Sequence, residues 1–101
     1  MKAPSNKYNS EQIIDITRLL KAMAHPERLI IVKLIDQHKT LNVTNIYTRL
    51  HLEQAVVSHH LTLLKSAGVL VAKKDGKVAN YSLATTKVSG LLTAIDKLIK
   101  V

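Results

Sequence analysis

Gln54, Ser58, His59 and Thr62 fall in one short stretch whose apolar residues, Val57, Leu61 and Leu64, recur at helical spacing. Their side chains are short or planar hydrogen-bonding groups, the kinds that reach base edges and phosphates. A helix that only needs to stay in solution more often carries Glu and Lys there. Gln54 can pair with adenine in a bidentate manner, and Ser58 and His59 can reach bases or phosphates. Ala55 belongs to the same N-terminal half, which would enter the major groove of double-stranded DNA. Catalytic chemistry finds no support. There is no glycine-rich phosphate loop and no cysteine nucleophile. Ser58 cannot form a dyad with His59 or His60, because near neighbours in a helix do not face one another and no oxyanion site is suggested.

The elements that must position this stretch can be read from the chain in order. Residues 1–8 form an arm, and residues 9–101 a single DNA-binding and dimerisation domain. Asn9 or Ser10 can cap a first helix to about Ala24, with Ile13, Ile16, Leu19, Leu20 and Met23 on its apolar face. His25-Pro26 breaks it and starts a second helix to about Asp36, almost without a polar face and so central to the core. Gln37 to Thr40 is a polar link. A third, short helix runs from Val43 to about Leu50, with Asn42 or Thr44 as cap. His51-Leu52-Glu53 turns into the fourth helix, Gln54 to about Ala67, ended by Gly68 as a left-handed cap. Two helices about three residues apart have helix-turn-helix spacing.

Leu70 to Leu83 reads as a two-stranded hairpin turning at Asp75-Gly76. That turn places Ala72 opposite Ala79 and Leu70 opposite Tyr81, which with Leu83 make one apolar face. Lys73, Lys74 and Lys77 gather at its tip, where they would lie on the DNA backbone; Arg49 and Lys65 would add phosphate contacts. Thr85 or Thr86 starts a last helix with Val88, Leu91, Leu92, Ile95, Leu98 and Ile99 on its apolar side. The fold class is mainly α with a small β-hairpin, a winged helix-turn-helix with extra helices at both ends.

With 101 residues the chain suffices for one domain with a modest core, and its 47% hydrophobic content supports a folded protein. Net charge is +8, which favours polyanionic partners and salt-sensitive association. Three tyrosines are the only aromatic residues, too few for a platform that stacks single strands. The absence of cysteine removes disulfides, thiolate metal sites and thiol redox sensing within the chain. No apolar run approaches the roughly 20 residues that span a bilayer, no membrane partner is indicated, and a cytoplasmic location is expected. A domain this small has little to cover the amphipathic first and last helices. Ile13, Ile16, Leu20, Leu91, Leu92, Ile95, Leu98 and Ile99 are therefore expected at a twofold homodimer interface, with the two recognition helices roughly 34 Å apart. The alternative is that both helices complete the monomer's own core.

Four segments in this order resemble the ArsR/SmtB family of bacterial winged-helix repressors: Leu20 to Ile31, Gln54 to Leu64, Ala67-Gly68-Val69-Leu70, and Asp75-Gly76-Lys77 before Tyr81-Ser82-Leu83. The resemblance covers about residues 12–100. It implies a homodimeric repressor that binds a palindromic operator and is released by an inducer. Most of the family sense metals, and here the chain departs from it. Asn42 and Thr44 stand where the resemblance expects two cysteines, and Thr85, Lys87, Lys97 and Lys100 stand where it expects the ligands of the last helix. No cofactor and no metal are expected. His59 and His60 diverge by about 100° on a helix and cannot easily share an ion, which leaves a His-only or His/carboxylate site such as His25 with Glu27 as the minor alternative. A small molecule, a protein partner or constitutive binding remains as the mode of control. Two other readings compete: a winged-helix module that binds protein, and an architectural binder indifferent to sequence.

Overall fold

The structure, a computed structural model, describes residues 8–99. Most of the expected N-terminal arm, residues 1–7, lies outside the described residues, as do Lys100 and Val101. The element order is α1 (Ser10–Met23), α2 (Pro26–His38), β1 (Leu41–Asn42), α3 (Val43–Leu50), α4 (Gln54–Ser66), β2 (Leu70–Asp75), β3 (Val78–Leu83) and α5 (Thr86–Ile99).

Each helix start has a local cause. Asn9 accepts the Gln12 N–H at 2.8 Å while the Gln12 side chain accepts the Asn9 N–H at 2.9 Å, a reciprocal capping box. Asn42 and Asn45 repeat this arrangement at α3. His25 caps α2 through Nδ1, and Pro26 occupies the first turn, where no backbone donor is missed. The end of α1 is also fully accounted for. The Leu20 and Lys21 carbonyls accept the Ala24 N–H, Met23 accepts the His25 N–H, and Ala22 accepts Nε of Arg28. A cation thus sits at the negative end of α1.

Helix α4 stops at a Schellman motif. Val69 N–H donates to Leu64 and Gly68 N–H to Lys65, with Gly68 at φ +82°. Val69 and Leu64 are both fully buried, which supplies the apolar contact that accompanies this motif.

The core is one cluster drawn from the five helices, β1 and the start of β2: Met23, Ile31, Val32, Ile35, Leu41, Ile46, Val57, Leu61, Leu64, Val69, Leu70, Val88 and Leu92, with Tyr81 and Leu83 of β3 packed against it. Val57, Leu61 and Leu64 have no exposed surface. At about 1.5–3 kcal/mol per buried aliphatic side chain, this stripe is what fastens α4 to the domain.

The structure corrects the sequence reading in three places. Helix α2 continues through His38. The hairpin pairs Asp75 with Val78, so its two turn residues are Gly76 and Lys77, with Gly76 at φ +66°. Ala72 then faces Tyr81 and Leu70 faces Leu83. The pairing moves by two residues, an even shift, so the expected apolar face survives intact. Finally, Leu41–Asn42 form an edge strand on Tyr81 and Asn80, giving a three-stranded antiparallel sheet of order β1-β3-β2.

Candidate nucleic-acid interface

Helix α4 is held by one side and presents the other. Gln54, Ala55, His59, Thr62 and Lys65 are exposed and Ser58 is half-buried, opposite the buried Val57, Leu61 and Leu64. From Gln54 to Lys65 the presented row runs about 16 Å at 1.5 Å per residue. The Thr62 hydroxyl donates to the Ser58 carbonyl at 3.0 Å, leaving its oxygen able to accept. Glu53 stands at the N-cap without a capping bond from its side chain. The first-turn N–H groups of α4 therefore have no carboxylate closing them off.

Arg49 is exposed in the last turn of α3, two residues before the His51 turn, whose backbone is left-handed at φ +55°. Lys73, Lys74 and Lys77 are all exposed on the hairpin. The corrected register puts Lys77 in the turn itself. Lys73 and Lys74, adjacent in a strand, point to opposite faces of the sheet.

The residues expected at a twofold interface divide. Ile16 (55%), Leu20 (46%), Leu98 (84%) and Ile99 (68%) are exposed, and Ile13, Leu91 and Ile95 are partly covered. Leu92 is 2% exposed within the protomer. Its side chain is used by the protomer's own core. Ile14, 51% exposed on α1, is a large apolar side chain that the sequence reading passed over.

His60 is the residue whose role was missed. It is 5% exposed, with Nε2 2.9 Å from Oε1 of Glu27 and Nδ1 3.4 Å from Nη1 of Arg28. The signal was present in the spacing. Val57, His60, Leu61 and Leu64 fall at i, i+3, i+4 and i+7, so His60 sits on the buried stripe.

A helix-turn-helix with an exposed polar recognition face and a basic hairpin defines the winged helix-turn-helix class of DNA-binding regulators. Comparison with known proteins agrees. A family described as "Bacterial regulatory protein, arsR family" matches residues 25–71. The chain is 42% identical over 82 residues to the transcriptional repressor PagR of Bacillus anthracis, covering 81% of this chain and 82% of PagR. The crystal structure of PagR superposes with a TM-score of 0.80 at 39% identity, covering 86% of this chain and 99% of that one. The homodimeric winged helix-turn-helix DNA-binding domain Mb0332 from Mycobacterium bovis gives a TM-score of 0.82 at 26% identity, covering 97% of this chain and 89% of that one. The chain belongs to the ArsR family. It is a winged-helix transcriptional regulator and not an enzyme.

The two metal positions that the family resemblance marks do not fit an ion here. Asn42 Oδ1 is committed to the Asn45 N–H at 2.8 Å. Thr85 Oγ1 accepts the Lys87 N–H at 3.1 Å, and Lys87 and Lys97 are exposed cations. The fourth position of the α5 set, Lys100, lies outside the described residues.

Proposed function

We propose that the chain is a homodimeric, sequence-reading repressor of transcription that binds an inverted-repeat operator without a metal. The observation that carries this reading is the division of α4. A dry stripe fixes the helix, and the exposed face from Gln54 to Lys65 is made of groups that match base edges. Gln54, Ala55, Ser58 and His59 enter the major groove; Thr62, Lys65 and Arg49 contact its flanks. Lys73, Lys74 and Lys77 lie on the adjacent backbone.

Exposed Ile16, Leu20, Leu98 and Ile99 support dimerisation through α1 and α5, in keeping with the homodimer formed by the similar Mycobacterium bovis domain. Repression follows the similarity to PagR. A DNA target is in keeping with a cytoplasmic location. Control does not come from the family's metal positions in this reading, which leaves a small molecule, a protein partner or constitutive binding.

Selection of bound fragments from a random duplex library at physiological salt, with no added metal, tests the reading. An enriched inverted repeat bound by a species of twice the chain mass is expected. Equal retention of unrelated duplexes would leave an architectural binder instead, and no retention would favour a module that binds protein.

A further inference from the structure

One cluster of titratable side chains has no part in the presented face of α4. His60 of α4 meets Glu27 and Arg28 of α2, and its ring lies 4.9 Å, centroid to centroid, from that of His25. A guanidinium only donates and an ionised carboxylate only accepts. Together they set the His60 tautomer: Nε2 carries the proton toward Glu27, and Nδ1 offers its lone pair to Arg28. Arg28 is itself fixed, because its Nε donates to the Ala22 carbonyl at the end of α1. The imidazole is thus joined to α2 directly and to the end of α1 through Arg28.

The ligand atoms of His25, Glu27 and His60 lie within 4.8 Å of one another, close enough to suggest a cation site. The donor pattern opposes it. An imidazole that binds metal through one nitrogen gives the N–H of the other to an acceptor. Here the second nitrogen of each ring meets a donor, Arg28 at His60 and the Glu27 N–H at His25. The cluster is arranged as a hydrogen-bond network and not to hold an ion.

We infer that His60 and Arg28 are positioning residues that set the roll of the recognition helix, an inference that rests on the DNA-reading function proposed above. The stripe of Val57, Leu61 and Leu64 holds α4 down, but apolar contact has no direction and tolerates rotation about the helix axis. Hydrogen bonds do not. A roll of roughly 10° moves a side-chain tip roughly 6 Å from the axis by about 1 Å, enough to break a bidentate contact to a base. His60 immediately follows Ser58 and His59, so a roll that frees it also turns both away from the groove.

The test measures the affinity of the full chain for the selected inverted repeat and for a scrambled duplex, with melting temperature and mass recorded alongside. His60→Leu keeps the bulk and removes both polar contacts. The ratio of the two affinities is expected to fall about 10-fold or more, with scrambled-duplex affinity and mass unchanged. His60→Gln, whose amide offers an NH₂ donor toward Glu27 and a carbonyl acceptor toward Arg28, is expected to recover most of the ratio. If His60→Leu does not fold, Glu27→Ala, at a half-buried site, removes only the acceptor and is expected to lower the ratio in the same direction. Folded variants with the wild-type ratio would overturn the inference. So would equal losses on both duplexes with a lower melting temperature, since His60 would then be only structural. A wild-type ratio near one marks failure of the DNA-reading function itself, visible before any variant is made, and the inference falls with it.

Discussion

Gln54, exposed, and Ser58, half-buried, lie one helical turn apart on the side of α4 away from the core, the face proposed to meet the bases. Replacing either with Ala should therefore cost about 1–3 kcal/mol on the preferred duplex and clearly less on random DNA, as titrations on both would show. Equal losses would reduce these residues to backbone contacts. Lys39 is a different case. It ends α2 at φ +72°, ψ −46°, a conformation that side chains rarely adopt. Lys39→Gly should raise stability by about 1 kcal/mol, seen as a melting temperature roughly 4–8 °C higher. At this scale the sequence is readable where a residue acts through its own helix. The apolar stripe of α4 follows from spacing alone, while the caps at Asn9 and Asn42 are each one of two candidates, beside Ser10 and Thr44, between which the structure decides. The partners of His60 do not follow from spacing, because Glu27 and Arg28 lie more than thirty positions away and meet it only through tertiary packing.

Gly68 lets α4 end and β2 begin with only Ala67, Gly68 and Val69 between them. An added Cβ there meets nothing within 4 Å, so the cost of Gly68→Ala is purely that of the left-handed backbone. A loss of about 1–2 kcal/mol is expected in denaturant unfolding, with a smaller one if the Schellman bonds relax. The hairpin makes its own prediction. Replacing Lys73, Lys74 and Lys77 together with Ala should weaken binding to every duplex and reduce the slope of log K against log salt by up to about 0.9 per lysine per subunit. An unchanged slope would remove the wing from the backbone. The sequence located this hairpin but misjudged its register by two residues, since Asp75 and Gly76 form a favoured turn pair and the competing Gly76-Lys77 turn also puts glycine where φ is positive. Strand β1 left no trace in the pattern. Two residues are too few to show alternation, and Leu41 is held there by Tyr81 of a strand forty residues away.

For the whole molecule, the apolar surfaces of α1 and α5 are the feature a lone protomer leaves uncovered, with Leu98 84% and Ile99 68% exposed. Ile16→Asp combined with Leu98→Asp should halve the mass seen by light scattering. It should also weaken operator binding by about 100-fold or more, because two linked half-sites then act singly. A protein that keeps its mass with both substitutions would return these helices to a monomeric role. The sequence identified the amphipathic faces but not which residues the protomer keeps for itself, and Leu92 shows the difference: it shares its face with Leu91 and Ile95, yet packing draws it inside. The pairing of Leu41 and Asn42 with Tyr81 and Asn80 reaches further than two ladder positions suggest. It bolts the start of α3 to the middle strand of the wing, and α3 leads through three residues into α4. In the proposed mode of binding, wing tip and recognition helix would act as two jaws whose separation that pairing helps to set. DNA of another groove width would then have to bend or compress to fit, and the spacing of the jaws would read sequence at base pairs no side chain touches.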